Sequence, residues 1–173
     1  MRLLSGVHYA HRGLYVNPSI PGNSRKAFRR AVQSGFGAEL GVHLLSDGTL
    51  AVIHDSLLKR MTGKEGVIED CTQKDLPSLY LSGTQETVPT FREVLQIFNG
   101  IMPLIIELKT YNGNTAALTQ AVCKVLDDYA GLYCPESFDP QVLVWPDIIR
   151  GQLSMDFIKE RKKGTWYRKH SVT

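Results

Sequence analysis

His11-Arg12, Glu39, His54-Asp55 and Glu107-Leu108-Lys109 are the places where groups able to do chemistry stand at the ends of apolar, strand-like runs. In a parallel α/β protein the carboxyl ends of the strands open on one face, so side chains from separated stretches converge there. The imidazoles of His11 and His54 can move protons near neutral pH. The carboxylates of Glu39 and Glu107 can hold a hard divalent cation through oxygen. They can equally be interior acids tied as ion pairs to Arg12 and Lys109, and the residues alone leave both readings open. Arg12 and Lys109 can neutralise a phosphate, Arg12 bidentately. Asp55 either orients a neighbour or caps its loop. Taken together, the set suits phosphate ester cleavage.

The elements that must position these groups follow from periodicity and punctuation. A strand is expected over 7–13 and a loop over 14–21. A helix then starts at an Asn23 or Ser24 cap, carries the stripe Ala27, Phe28, Ala31, Val32, and ends at Gly35. A strand over 36–45 places Glu39, Gly41 and His43 on one face, where His43 reads as core or rim. Ser46-Asp47-Gly48 is a tight turn into a third strand, 49–53, which delivers His54 and Asp55. The connection 56–89 is long enough to be a flap near the site, with a short strand at 67–68 and a short helix over 72–79. Thr90 and Glu93 form a capping box ahead of Phe91, Val94, Leu95 and Phe98. The apolar run 102–106 reads as a strand buried on both faces and ends in Glu107. A helix over 115–129 has Asn114 as cap and Gly131 as terminator. Strand 133–138 contains Pro135, which is unusual in a central strand. A sixth strand over 148–153 follows too closely for a full crossover helix.

In order, His11-Arg12-Gly13, Pro21-Gly22-Asn23-Ser24, Glu39-Leu40-Gly41-Val42, Asp47-Gly48, His54-Asp55, Pro89-Thr90 and Glu107-Leu108-Lys109 resemble the glycerophosphodiester phosphodiesterase family over about residues 10–154. The resemblance implies a (β/α)8 TIM-type barrel. Such barrels run from about 200 residues upward, so 173 residues, with about six strands recognisable, imply an incomplete one. It also implies metal-dependent hydrolysis of a small-molecule glycerophosphodiester to glycerol 3-phosphate and an alcohol. In that mechanism His11 and His54 are the general acid and base and act through a cyclic phosphate. Arg12 and Lys109 bind phosphate, and Glu39 and Glu107 hold Ca²⁺ or Mg²⁺. The chain departs from the family pattern twice, with Gly22 in place of Glu and Gly41 in place of Asp, so activity is expected to be weakened. A glycine at 41 is expected to leave inward space that an Asp could fill. The alternatives are a binding protein that keeps the phosphate pocket without catalysis, or a truncated product.

Composition bounds the rest. One domain, 1–154, with a basic tail, 155–173, accounts for 173 residues that are 43% hydrophobic. The 20 basic and 17 acidic residues, net +3, are too evenly mixed for a nucleic-acid footprint. The tail reads as a solvated terminus or as a segment drawn to anionic lipid. Cys71, Cys123 and Cys134 have no CxxC spacing and suit a reducing compartment. With no signal h-region and no membrane-span run, a cytoplasmic protein is expected. An open sheet edge makes homo-oligomerisation an expected partner mode.

Overall fold

The structure, a computed structural model, describes residues 6–142. The sixth strand candidate and the basic tail lie outside them. Within them the order is β1 (Tyr9–His11), α1 (Arg25–Gln33), β2 (Gly37–Leu44), β3 (Leu50–Val52), α2 (Lys59–Thr62), α3 (Phe91–Phe98), β4 (Leu104–Leu108), α4 (Thr115–Leu126) and β5 (Tyr133–Glu136). β1, β2, β4 and β5 lie side by side in that order, all parallel, with helices between successive strands. This is part of a (β/α)8 barrel that does not close among the described residues.

The helices form where the sequence allows them. Ser24 caps α1 by accepting from the Ala27 amide, and Thr90 and Glu93 complete a reciprocal capping box on α3. The α3 box is tied to α1, because the Glu93 carboxylate also accepts both ends of the Arg25 guanidinium at 2.8 to 3.1 Å. Asn114 does not cap α4 with its side chain, which instead accepts from the Tyr111 amide, and α4 ends at Leu126 rather than 129.

Two cores result. The outer faces of the parallel strands, Ala10, Ala38, Leu40, Val42, Leu104, Ile106 and Leu108, pack against Phe28, Phe91, Phe98, Leu118 and their neighbours on the helices. A second cluster of Leu45, Ala51, Ile53, Leu58, Ile68, Leu76, Leu79, Leu81 and Val88 lies under the long connection. That connection holds α2 and three single 3-10 turns, at Ile68–Asp70, Leu76–Ser78 and Leu81–Gly83. The short strand expected at 67–68 is a lone bridge from Leu57 to Val67, and the helix over 72–79 shrinks to one 3-10 turn.

The tight turn Ser46-Asp47-Gly48 joins a hairpin: β3 is antiparallel to β2 and stands outside the parallel set, so His54 does not follow a parallel strand as expected. Glu39 sits early in β2 and Glu107 lies within β4, so neither is at a strand end. Their level is still the barrel mouth, because β1 stops at His11, opposite Glu39, and the rest of β2 continues beyond it into the hairpin. Pro135 is accommodated because β5 is an edge strand among the described residues. Within the described residues no helix is long and apolar enough to cross a membrane, and Cys71, Cys123 and Cys134 form no disulfide.

Phe28 is fully buried and meets Phe98 edge-on, with ring centroids 6.0 Å apart, so it joins α1 to α3 over the sheet. Phe28→Ala is expected to lower unfolding free energy by about 3–5 kcal/mol. Urea denaturation measures this, and a loss below about 1 kcal/mol would show the contact to be dispensable.

Candidate active site at the barrel mouth

The turn after β1 builds the first part of the site. Arg12 adopts a left-handed backbone, φ 59°, and its amide is directed at Glu39 on β2, 3.0 Å from the carbonyl and 3.1 Å from Oε2. Gly13 follows at φ 77° and lies so close to α1 that a Cβ would meet Ala27 at 3.0 Å, so only glycine fits there. The Arg12 carbonyl accepts from the amide of Asn23, which fixes the start of α1 beside the site. Arg12 Nε and Asn23 Oδ1 are both buried without a hydrogen-bond partner among the described residues.

The parallel register then brings the acids together. Gly41, Glu107 and Glu136 are direct partners across β2, β4 and β5, and Glu39 is the partner of His11. One carboxylate oxygen from each of Glu39, Glu107 and Glu136 lies within 4.8 Å of the others. Glu39 and Glu107 are 5% and 4% exposed. Burial first, and then the charges of Glu107 and Glu136, raise the Glu39 acid to about 7 against the opposing Arg12 amide. Lys109 Nζ reaches Glu107 Oε2 at 2.7 Å, whereas Glu107 Oε1 is buried and unpartnered among the described residues. The exposed His11 ring places Nε2 3.6 Å from Glu39 Oε2.

His54 arrives by the other route, from the end of β3. Its Nδ1 contacts Asp55 Oδ1, and Asp55 also receives the Arg60 guanidinium. Arg60 first, with His54, holds the Asp55 acid down at about 2. An ionised carboxylate only accepts, so Nδ1 of His54 carries the proton and Nε2 is left to exchange one. Loss of water lowers the basicity of both imidazoles; the charge of Arg12 reinforces this at His11, and the Asp55 bond only partly opposes it at His54. A cleft of about 160 Å³ joins His54, Arg12, Gly22, Asn23, Tyr15 and the flap residues Arg60, Met61 and Ser82.

His11, Arg12, Glu39, His54, Glu107 and Lys109 therefore surround one mouth, with Asp55 behind His54. His43 is away from it, buried and paired with Glu69 at 2.7 Å. Glu136 is not among the sequence-derived candidates: it lies inside the strand candidate 133–138, on the face of Cys134, and becomes the carboxyl end of a strand only because β5 stops there. The expected open space at Gly41 is absent, because a Cβ there would lie 2.8 Å from the Ile53 carbonyl and 3.1 Å from Lys109 Cε.

A family model described as the glycerophosphoryl diester phosphodiesterase family matches residues 11–139. A glycerophosphodiester phosphodiesterase of Bacillus altitudinis is 37% identical over 111 residues, 60% of this chain and 44% of that protein. One from Caldanaerobacter subterraneus subsp. tengcongensis is 34% identical over 128 residues, 69% of this chain and 52% of its own. The chain thus spans about half the length of these curated relatives. In structure it is similar to an Oleispira antarctica phosphodiesterase solved in complex with the product sn-glycerol-3-phosphate. That match has TM-score 0.73 and 28% identity, over 81% of this chain and 62% of the other.

Two outcomes follow from the geometry. The folded-state acid of Asp55 lies below its ordinary 3.8, so its contribution to stability is present above that value and is lost as pH falls through about 2. Asp55→Asn should be less stable at neutral pH and show a shallower loss of stability from about pH 4 to about pH 2, followed by circular dichroism. Identical acid limbs would exclude the His54-Asp55-Arg60 linkage. Gly41→Ala should cost about 1–3 kcal/mol in chemical denaturation through overpacking, and a neutral result would mean that β3 moves aside freely.

Proposed function

The chain belongs to the glycerophosphoryl diester phosphodiesterase family, and on that premise we propose that it hydrolyses a glycerophosphodiester to glycerol 3-phosphate and an alcohol. The observation that carries the reading is the convergence of two imidazoles, two cationic side chains and buried carboxylates on one barrel mouth. The Oleispira antarctica relative, bound to sn-glycerol-3-phosphate, supports this product for the same fold.

The acids present fit a hard divalent cation, Ca²⁺ or Mg²⁺. Glu107 Oε1 is buried with no hydrogen bond among the described residues, and Glu39 is buried beside the charges of Glu107 and Glu136, two conditions that a cation relieves. Glu39 and Glu107 would hold it. Once bound, it would offset phosphate charge and polarise the phosphoryl oxygen.

The protein's own groups divide the remaining work. Arg12 and Lys109 meet phosphate oxygens, and the buried Asn23 fixes the turn that carries Arg12. His54, held by Asp55 through Nδ1, presents Nε2 for proton transfer; His11 serves the opposite role. One ring removes the proton of the glycerol hydroxyl as that oxygen attacks phosphorus. The other gives a proton to the departing alcohol. Water then opens the cyclic phosphate with the two roles exchanged. Near neutral pH the depressed basicity of both rings favours the proton-accepting form, and the approach of an anionic phosphate favours the charged form needed for the acid.

A second reading, a phosphate-ligand-binding protein without turnover, draws on Gly41, where the family pattern has a carboxylate. Hydrolysis of glycerophosphocholine with Ca²⁺, Mg²⁺ or chelator separates the two. Turnover is expected, abolished by chelator and reduced about 10²- to 10⁴-fold in His11→Ala and in His54→Ala. Binding of glycerol 3-phosphate without turnover would select the second reading. Full activity in both variants would end the acid–base assignment.

A further inference from the structure

We propose that Glu136 is the third carboxylate of the cation site, supplied from β5 in the row where Gly41 on β2 supplies none. The inference rests on the metal-dependent reading above and extends it to a residue which that reading leaves unused.

Register makes the replacement geometric. Gly41, Glu107 and Glu136 form one row across three neighbouring parallel strands, the side chains of Glu107 and Glu136 facing the barrel interior and Gly41 offering none. On the β2 side of that row the space is taken: Lys109 lies over Gly41, and the Ile53 carbonyl closes in from β3. On the β5 side the row ends in a carboxylate. Glu39, two residues before Gly41, lies beneath the row, and its oxygen, one from Glu107 and one from Glu136 are within 4.8 Å of one another. Three oxygens so spaced can share one hard cation, whose remaining positions water or a phosphate can fill.

A separate observation points to a ligand in this cluster. Glu107 is 4% exposed, and while its Oε2 is held by Lys109, its Oε1 is buried with no hydrogen-bond partner among the described residues. An acceptor in that state is costly unless something cationic meets it. The result moves the centre of the cation site along the sheet, from β2 toward β4 and β5.

The test is calorimetric titration of the 173-residue chain with Ca²⁺ at about pH 8. Glu136→Gln is expected to weaken binding by roughly tenfold or more, and Glu136→Asp to weaken it less. Glu65→Gln, an exposed acid paired with Lys59, should leave binding unchanged. Should Glu136→Gln fail to give native circular dichroism, the charge-conserving Glu136→Asp decides, with wild-type affinity counting against the proposal. Wild-type binding that Glu136→Gln preserves overturns the role of Glu136 and leaves chelator-sensitive hydrolysis standing. A wild-type chain that binds no Ca²⁺ overturns both. Binding weakened by Glu136→Gln, with hydrolysis indifferent to chelator, upholds the site and overturns only the metal-dependent reaction.

Discussion

Like charges brought together out of water dominate this structure. Parallel pairing puts inward side chains of adjacent strands side by side, so Glu107 on β4 and Glu136 on β5, in register, cannot avoid one another, and Glu39 on β2, two residues before their row, reaches the same point. Water cannot screen Glu39 and Glu107 well at 4–5% exposure, and Glu39 responds by holding its proton up to about pH 7. Other features read as responses to that burden: the Arg12 amide directed at Glu39, the Lys109 ammonium at Glu107, and a geometry suited to a divalent cation. An apolar set at the same positions would fold with less cost, which is why such a cluster speaks for chemistry rather than stability.

The site stands on two platforms, each backed by its own core. The acids and His11 belong to the parallel strands, whose outer faces are locked against the helices by a continuous core. His54 comes from the hairpin, steadied from behind by the smaller core under residues 56–89. That core also presents Arg60, Met61 and Ser82 to the cleft, with Ser82 in a left-handed backbone conformation, φ 52°. A connection of this length without long helices holds its shape only because apolar residues such as Ile68, Leu79 and Leu81 are sealed beneath it. The buried His43–Glu69 pair, with Ser56 also donating to Glu69, ties the same connection to β2. The flap is therefore an organised wall of the site.

Local signals in the sequence carried a good deal of this. Ser24 and the Thr90–Glu93 box marked their helices because capping is decided within four residues. The alternation along β2 placed Glu39, Gly41 and His43 inward, since side-chain direction in a strand follows from period alone. Strand direction was less legible: an apolar run looks the same parallel or antiparallel, and only the Ser46-Asp47-Gly48 turn indicated that β3 folds back. Glu136 is not legible in the sequence, because Pro135 weakens the signal of its strand and register with Glu107 is a property of two strands and not of one. The room at Gly41 was misjudged for a related reason. Whether a glycine leaves space depends on what the rest of the chain puts there, here Lys109 and the end of β3.

That last point links the histidine to the missing acid. The Ile53 amide donates to the Gly41 carbonyl at 3.2 Å, and the Ile53 carbonyl lies where a Cβ on residue 41 would project, 2.8 Å away. Closing β3 this tightly on β2 sets the point at which the chain leaves the hairpin, and the next residue is His54. A side chain at 41 would push Ile53 outward and carry His54 with it, away from Arg12 and the cleft they share. In this chain, then, the glycine and the position of His54 are one geometric fact. A carboxylate in that row has to come from a strand that the hairpin does not cover, and β5 is where one stands.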